Sequence, residues 1–220
     1  MEEKEIKMKA IMISIQPQWV DKILNGEKTI EIRKTMPKCE LPCKVYIYCT
    51  NGYMLYDLRN EDYLELKKNY TLDVTRKSNK YLSGTPPMLN RKVVAEFTLN
   101  KIETLWQNNK NKTSTATVVD KAIFEKQTCM TWEQYCEYHK CKNGKYPNSY
   151  AWHIDDLKIY DKPKELSEFR KRNKCHYADY DEGCCFECCT FYDLGDCDGG
   201  YSELERPPQS WCYVEELENE

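Results

Sequence analysis

"GEKTIEIRK", residues 26–34, alternates like a strand, yet its nine residues include two glutamates, two lysines and an arginine. Thr29, Ile30 and Ile32 favour an extended backbone. At the two-residue period of a strand, Glu31 and Arg33 share one face and Ile30 and Ile32 the other. Lys28 has the opposite parity, but it stands at the mouth of the strand next to Gly26, where local geometry can re-aim it. The fold turns on how a strand with one apolar face and one charged face is accommodated.

Working outward, the stretch before it reads as a short strand over KAIMIS (9–14), followed by a helix. Pro17 suits a first helical position, Trp19, Val20, Ile23 and Leu24 form one apolar stripe, and Gly26 can close the helix in the left-handed conformation. Downstream, KVYIYCT (44–50) sets Val45, Ile47 and Cys49 against Tyr46 and Tyr48, as expected of a central strand with both faces covered. Residues 51–90 turn polar and lysine-rich, with Asn51-Gly52 at one end and Ser83 to Pro87 at the other. They read as an insertion outside the core, with a helix near 61–69. RKVVAEFTLNKIETL (91–105) is the longest predicted strand, with Glu96 facing away from Phe97. TWEQYCEYHK (131–140) predicts a helix capped by Thr131, SYAWHI and LKIYDKP (149–163) two short strands, and QSWCYVEE (209–216) a last one. Many short strands, few helices and a strand near each terminus predict an α+β fold: a small, partly closed mixed β-barrel with flanking helices. The barrel is expected over 8–169, a cysteine-rich acidic appendage over 170–206, and a strand returning to the barrel over 207–216.

The bulk numbers agree with a globular chain. Of 220 residues, 40% are apolar and 31% charged, with 17 tyrosines and only 8 glycines, unlike a disordered or fibrous composition. No apolar run approaches the ~18 residues needed to span a bilayer, and MEEKEIKMKA is too acidic and polar for a signal peptide. A cytoplasmic location without membrane contact is the expectation. The net charge of -3 divides unevenly: residues 1–160 hold 26 Lys+Arg against 20 Asp+Glu, and residues 161–220 hold 7 against 16. A mildly basic body suits an anionic ligand; an acidic tail suits a protein partner or limits nonspecific attraction to nucleic acid.

Chemically, one carboxylate beside two cations orients the cations and leaves positive charge for a phosphate. A solvated face laced by ordinary ion pairs fits the same spacing, so spacing alone leaves both readings open.

Gly26, Lys28, Glu31 and Arg33 fit G-x-K-x-x-E-x-R, and in this the chain resembles the ASCH domain family of PUA-like β-barrels. SIQPQWVDKILNG (14–26) looks like that family's lead-in. YAWHIDDLKIYDKPKELSEF and RPPQSWCYVEE resemble stretches of ASCH proteins from bacteria and their phages. The resemblance implies a cleft that holds RNA or a nucleotide-like ligand, lined by Lys28, Glu31 and Arg33 and bordered by Ser14, Gln16 and Trp19.

Two hydrolase readings stand beside binding. One ASCH branch removes the acetyl group of acetylated cytidine with a Lys, a Thr three residues later and a distant Glu. Here Lys28 is present and Glu96 is available as the distant carboxylate, but Glu31 occupies the Thr position. A ribonuclease would draw on Lys28, Glu31, Tyr48 and His153. No Ser-His-Asp order, Walker loop or dinucleotide fingerprint occurs. Of 13 cysteines, seven fall between Cys175 and Cys212. Cys185-x-x-Cys188 has the spacing for tetrahedral zinc, with Cys175 and Cys197 completing a structural site and Cys184 and Cys189 as alternates. Free thiols in an acidic loop are the other reading of that segment.

Overall fold

The computed structural model describes residues 9–57, 88–108, 114–116, 120–141, 147–172 and 201–217. In it Gly26 takes φ +72°, a left-handed value that costs a glycine little. The turn there ends helix α1 (Pro17–Leu24) and feeds strand β2 (Ile30–Arg33). Pro17 is the first helical residue, and Val20 and Ile23 carry the buried stripe. The predicted helix-to-strand unit is therefore present as read.

Around it stand β1 (Lys9–Ile15), β3 (Cys43–Cys49), β4 (Val93–Leu99), β5 (Ile102–Asn108) and β6 (Ser114–Ala116). Two helices follow, α2 (Lys121–Thr128) and α3 (Trp132–His139). The chain continues through β7 (Ser149–His153), β8 (Asp155–Lys164), β9 (Arg170–Arg172), β10 (Tyr201–Glu203) and β11 (Trp211–Glu215). As the sequence predicts, Thr131 caps α3, its side chain accepting from the Gln134 amide in a reciprocal capping box.

The fold is α+β, and its strands form two sheets. The larger runs β10-β9-β11-β1-β3-β4-β8, and the smaller β2-β7-β5-β6. The expected small barrel is thus a pair of hydrogen-bonded sheets among the described residues, not one closed ring. β1 and β3 pair in parallel, which requires a crossover; α1 and β2 supply it. The stretch 91–105, read as one long strand, is two. It breaks at Asn100-Lys101, and β4 belongs to the larger sheet while β5 belongs to the smaller. A period-two pattern marks faces but says nothing of a change of sheet, so the corner was invisible to it.

One core lies between the sheets. Ile11, Ile13 and Ile15 of β1 and Val45 and Ile47 of β3 meet Tyr150 and Trp152 of β7 and the stripe of α1. Beyond the outer face of the larger sheet, Met12, Tyr46, Phe169, Leu204 and Val214 form a second core. Beyond the outer face of the smaller sheet, Ile30 and Ile32 pack with Phe124 and Tyr135 of α2 and α3.

Two boundary expectations change. Leu55 and Leu89, at the ends of the supposed insertion, are in the inter-sheet core, tied by the Asn90 side-chain oxygen, which accepts from the Leu55 amide at 2.7 Å. The ends of the 170–206 stretch are strands β9 and β10, and Leu204 donates its amide to the Phe169 carbonyl at 2.9 Å. The helix expected near 61–69 lies outside the described residues, as do Cys175, Cys184, Cys185, Cys188, Cys189 and Cys197. No helix of the described residues is long and apolar enough to cross a membrane.

Candidate functional site

β2 lies at the edge of the smaller sheet, with β7 as its neighbour. The register sets Glu31 opposite Trp152 and Arg33 opposite Tyr150, so the charged face of β2 turns toward the larger sheet while Ile30 and Ile32 turn toward the helices. Lys28, Glu31 and Arg33 are brought together. Lys28 Nζ stands 3.3 Å from one Glu31 oxygen, and an Arg33 terminal nitrogen stands 3.1 Å from the other. Lys28 reaches the carboxylate because its chain leaves the Gly26 turn before the strand alternation begins.

The three are enclosed: 2%, 7% and 6% of Lys28, Glu31 and Arg33 remain exposed. The side chains expected to line a cleft are thus almost wholly buried. Their remaining partners come from distant segments. Lys28 Nζ donates to the Thr128 carbonyl at 2.8 Å and lies 5.3 Å from the Trp19 ring centroid, a cation–π arrangement. Arg33 donates to the Ser14 carbonyl at 2.8 Å and to Ser210 Oγ at 3.3 Å. Among the described residues Arg33 Nε, and Nε1 of Trp152 across the ladder, are buried without a hydrogen-bond partner.

Of the bordering residues, Ser14 is at the site through its carbonyl, while its hydroxyl donates to the Pro208 carbonyl at 2.6 Å. Trp19 is there as the ring beside Lys28. Gln16 is exposed at the start of α1, and its side chain makes no capping bond.

Glu96 is elsewhere. It faces the outer core of the larger sheet, where its carboxylate accepts from the Tyr160 hydroxyl at 2.7 Å. Burial, then this hydrogen bond, holds the Tyr160 phenol well above its usual range. Ala95 and Phe97, its chain neighbours, point into the inter-sheet core, so Glu96 cannot act with Lys28. Thr128, whose carbonyl accepts from Lys28, turns its hydroxyl elsewhere: Oγ1 donates to the Phe124 carbonyl at 2.7 Å. His153 pairs with Glu103 at 3.1 Å, and Glu103 also meets Lys101 at 2.5 Å. The strand aromatics divide between two cores: Tyr46 and Tyr48 are in the outer one, Tyr150 and Trp152 in the inner one.

Sequence reasoning missed two neighbours. Lys34 Nζ lies 4.6 Å from the Tyr138 ring centroid, and Tyr138 on α3 is 38% exposed. Burial raises the Tyr138 phenol, with Arg33 opposing and Glu31 reinforcing the shift, which places the ring within electrostatic reach of the cluster. Nothing in the sequence singles Tyr138 out; its place follows from the packing of α3 beside β2, where Tyr135 joins Ile30 and Ile32.

No family model matches the chain, and no curated protein matches it. Among solved structures it is similar to ASCH from Zymomonas mobilis, at 14% identity over 93% of this chain and 86% of that one, with a TM-score of 0.44. A Tyr-to-Phe variant of the same protein is similar at 14% identity, 94% and 90% coverage and a TM-score of 0.44. A Ser-to-Ala variant is similar at 15%, 93% and 87%, and 0.44. All three are structures of that Zymomonas mobilis ASCH protein or its variants.

Proposed function

We propose that this chain binds RNA or a nucleotide-like anion beside the β2 charge cluster. Charge balance carries the reading: Lys28 and Arg33 bring two positive charges to the single carboxylate of Glu31 under near-complete burial. Holding a surplus cation away from water costs several kcal/mol. A phosphate accepting from the guanidinium would offset that cost. Glu31 orients the guanidinium from 3.1 Å, and the Arg33 Nε is buried without a partner among the described residues. Lys34 adds an exposed cation, and Tyr138 offers a face on which a base can stack.

The test is a fluorescence-anisotropy titration of single-stranded RNA and of a nucleoside monophosphate, comparing the parent with Lys34→Ala, Tyr138→Ala and Arg33→Lys. Each substitution is expected to weaken binding several-fold, and binding should weaken as salt rises. Lys34 and Tyr138 are exposed, so their variants keep the fold, which a thermal melt checks. Undiminished affinity in all three variants would overturn the proposal.

A further inference from the structure

Cys39 and Cys43 lie at the end of the molecule where β2 passes to β3. Their sulfurs are 3.3 Å apart. Cys43 is buried as the first residue of β3, paired across the ladder with Leu99, and Cys39 is half-buried against the same inter-sheet core. The connection between them is fastened from outside. Trp211 Nε1 donates to Thr35 Oγ1 at 2.9 Å, and the Lys38 amide donates to the Tyr213 hydroxyl at 2.6 Å. Both anchors belong to β11, so packing holds the thiols in register. Cys49, in contrast, is buried in β3 with its thiol turned to the Thr50 carbonyl.

We propose that Cys39 and Cys43 form a reversible dithiol–disulfide site that reacts with hydroperoxides. A disulfide needs its sulfurs about 2.05 Å apart, and side-chain rotation across a three-residue connection closes the remaining distance. Cys39, the more accessible sulfur, attacks the peroxide oxygen. The O–O bond breaks, water leaves, and Cys39 becomes a sulfenic acid. Cys43 Sγ then attacks Cys39 Sγ, the S–O bond breaks, and a second water leaves. In sum, two thiols and one hydrogen peroxide give one disulfide and two waters. Burial raises the Cys43 thiol, which suits the resolving partner better than the first nucleophile. The cross-link would fasten the connection that follows Arg33, independently of whether the neighbouring cluster binds RNA.

The sequence makes the reaction easy to read. Lys38 and Lys44 flank the pair, so trypsin releases Cys39–Lys44 as one peptide that holds both thiols. The reduced full chain is treated with graded hydrogen peroxide, free thiols are blocked with iodoacetamide, and the digest is analysed by mass spectrometry. The expected product is this peptide lighter by two hydrogens and unalkylated, with dithiothreitol restoring alkylation at both positions. In Cys43→Ser, Cys39 should instead stop at the sulfenic acid and be captured by dimedone. The proposal is overturned if the peptide carries two alkyl groups at every peroxide dose that leaves the fold intact, or if Cys39 is found joined to a different cysteine.

Discussion

Replacing Glu31 with glutamine removes the carboxylate that pairs with both Lys28 and Arg33 while keeping the side chain's shape and one acceptor oxygen. The parent holds both cations within 3.3 Å and 3.1 Å of that carboxylate. In the variant, an ammonium and a guanidinium face each other across a neutral amide in a site that water barely enters. Removing one partner of a buried ion pair costs about 3–5 kcal/mol. A chain of this size loses roughly 2–4 °C of Tm per kcal/mol, so Tm should fall on the order of 10 °C. Glu27→Gln is the internal comparison. Its pair with Lys22 is short, 2.6 Å, but half-exposed, and such a pair is worth about 0–1 kcal/mol. Thermal unfolding followed by circular dichroism would compare parent, Glu31→Gln and Glu27→Gln at low and high salt. The Glu27 effect should fade with salt, and the Glu31 effect should persist because the enclosed charges are poorly screened. If the two variants melt together, the β2 cluster does not work as a buried network and the reasoning from its burial fails.

Further outcomes follow from other parts of the chain. His139 is buried against Ser149, 3.2 Å from its hydroxyl, and burial, with Lys34 adding, lowers its pKa from 6.5 to about 4. Between those values the unfolded chain binds a proton that the folded chain refuses, so stability should fall as pH drops from 6.5 towards 4. His139→Gln should flatten that loss, and equal Tm–pH slopes in the two proteins would contradict it. The proposed structural zinc at Cys175, Cys185, Cys188 and Cys197 requires stoichiometric metal in the purified full chain, reduced by Cys185→Ser or Cys188→Ser. Elemental analysis finding only traces in the unaltered chain would remove that site.

What the sequence by itself determined is local. The period of α1, the Gly26 stop, the two faces of β2 and the Thr131 cap all depend on interactions within a few residues, and each is present as read. The proximity of Lys28, Glu31 and Arg33 was equally legible, since all three fall within a span of six residues. Tertiary structure decided what surrounds them. Alternation tells which side chains share a face, but not whether that face meets water, a helix or a second sheet. Arg33 is enclosed by Ser14 and Ser210, and Lys28 by Thr128, partners that lie as far as 177 residues away. The same gap explains Glu96, whose parity was read correctly and whose role was not. Its face belongs to the outer core beside Tyr160, because β4 stays in the larger sheet when β5 leaves it. Only the assembled sheets turned a charged strand into a buried cluster and set Tyr138 within its field.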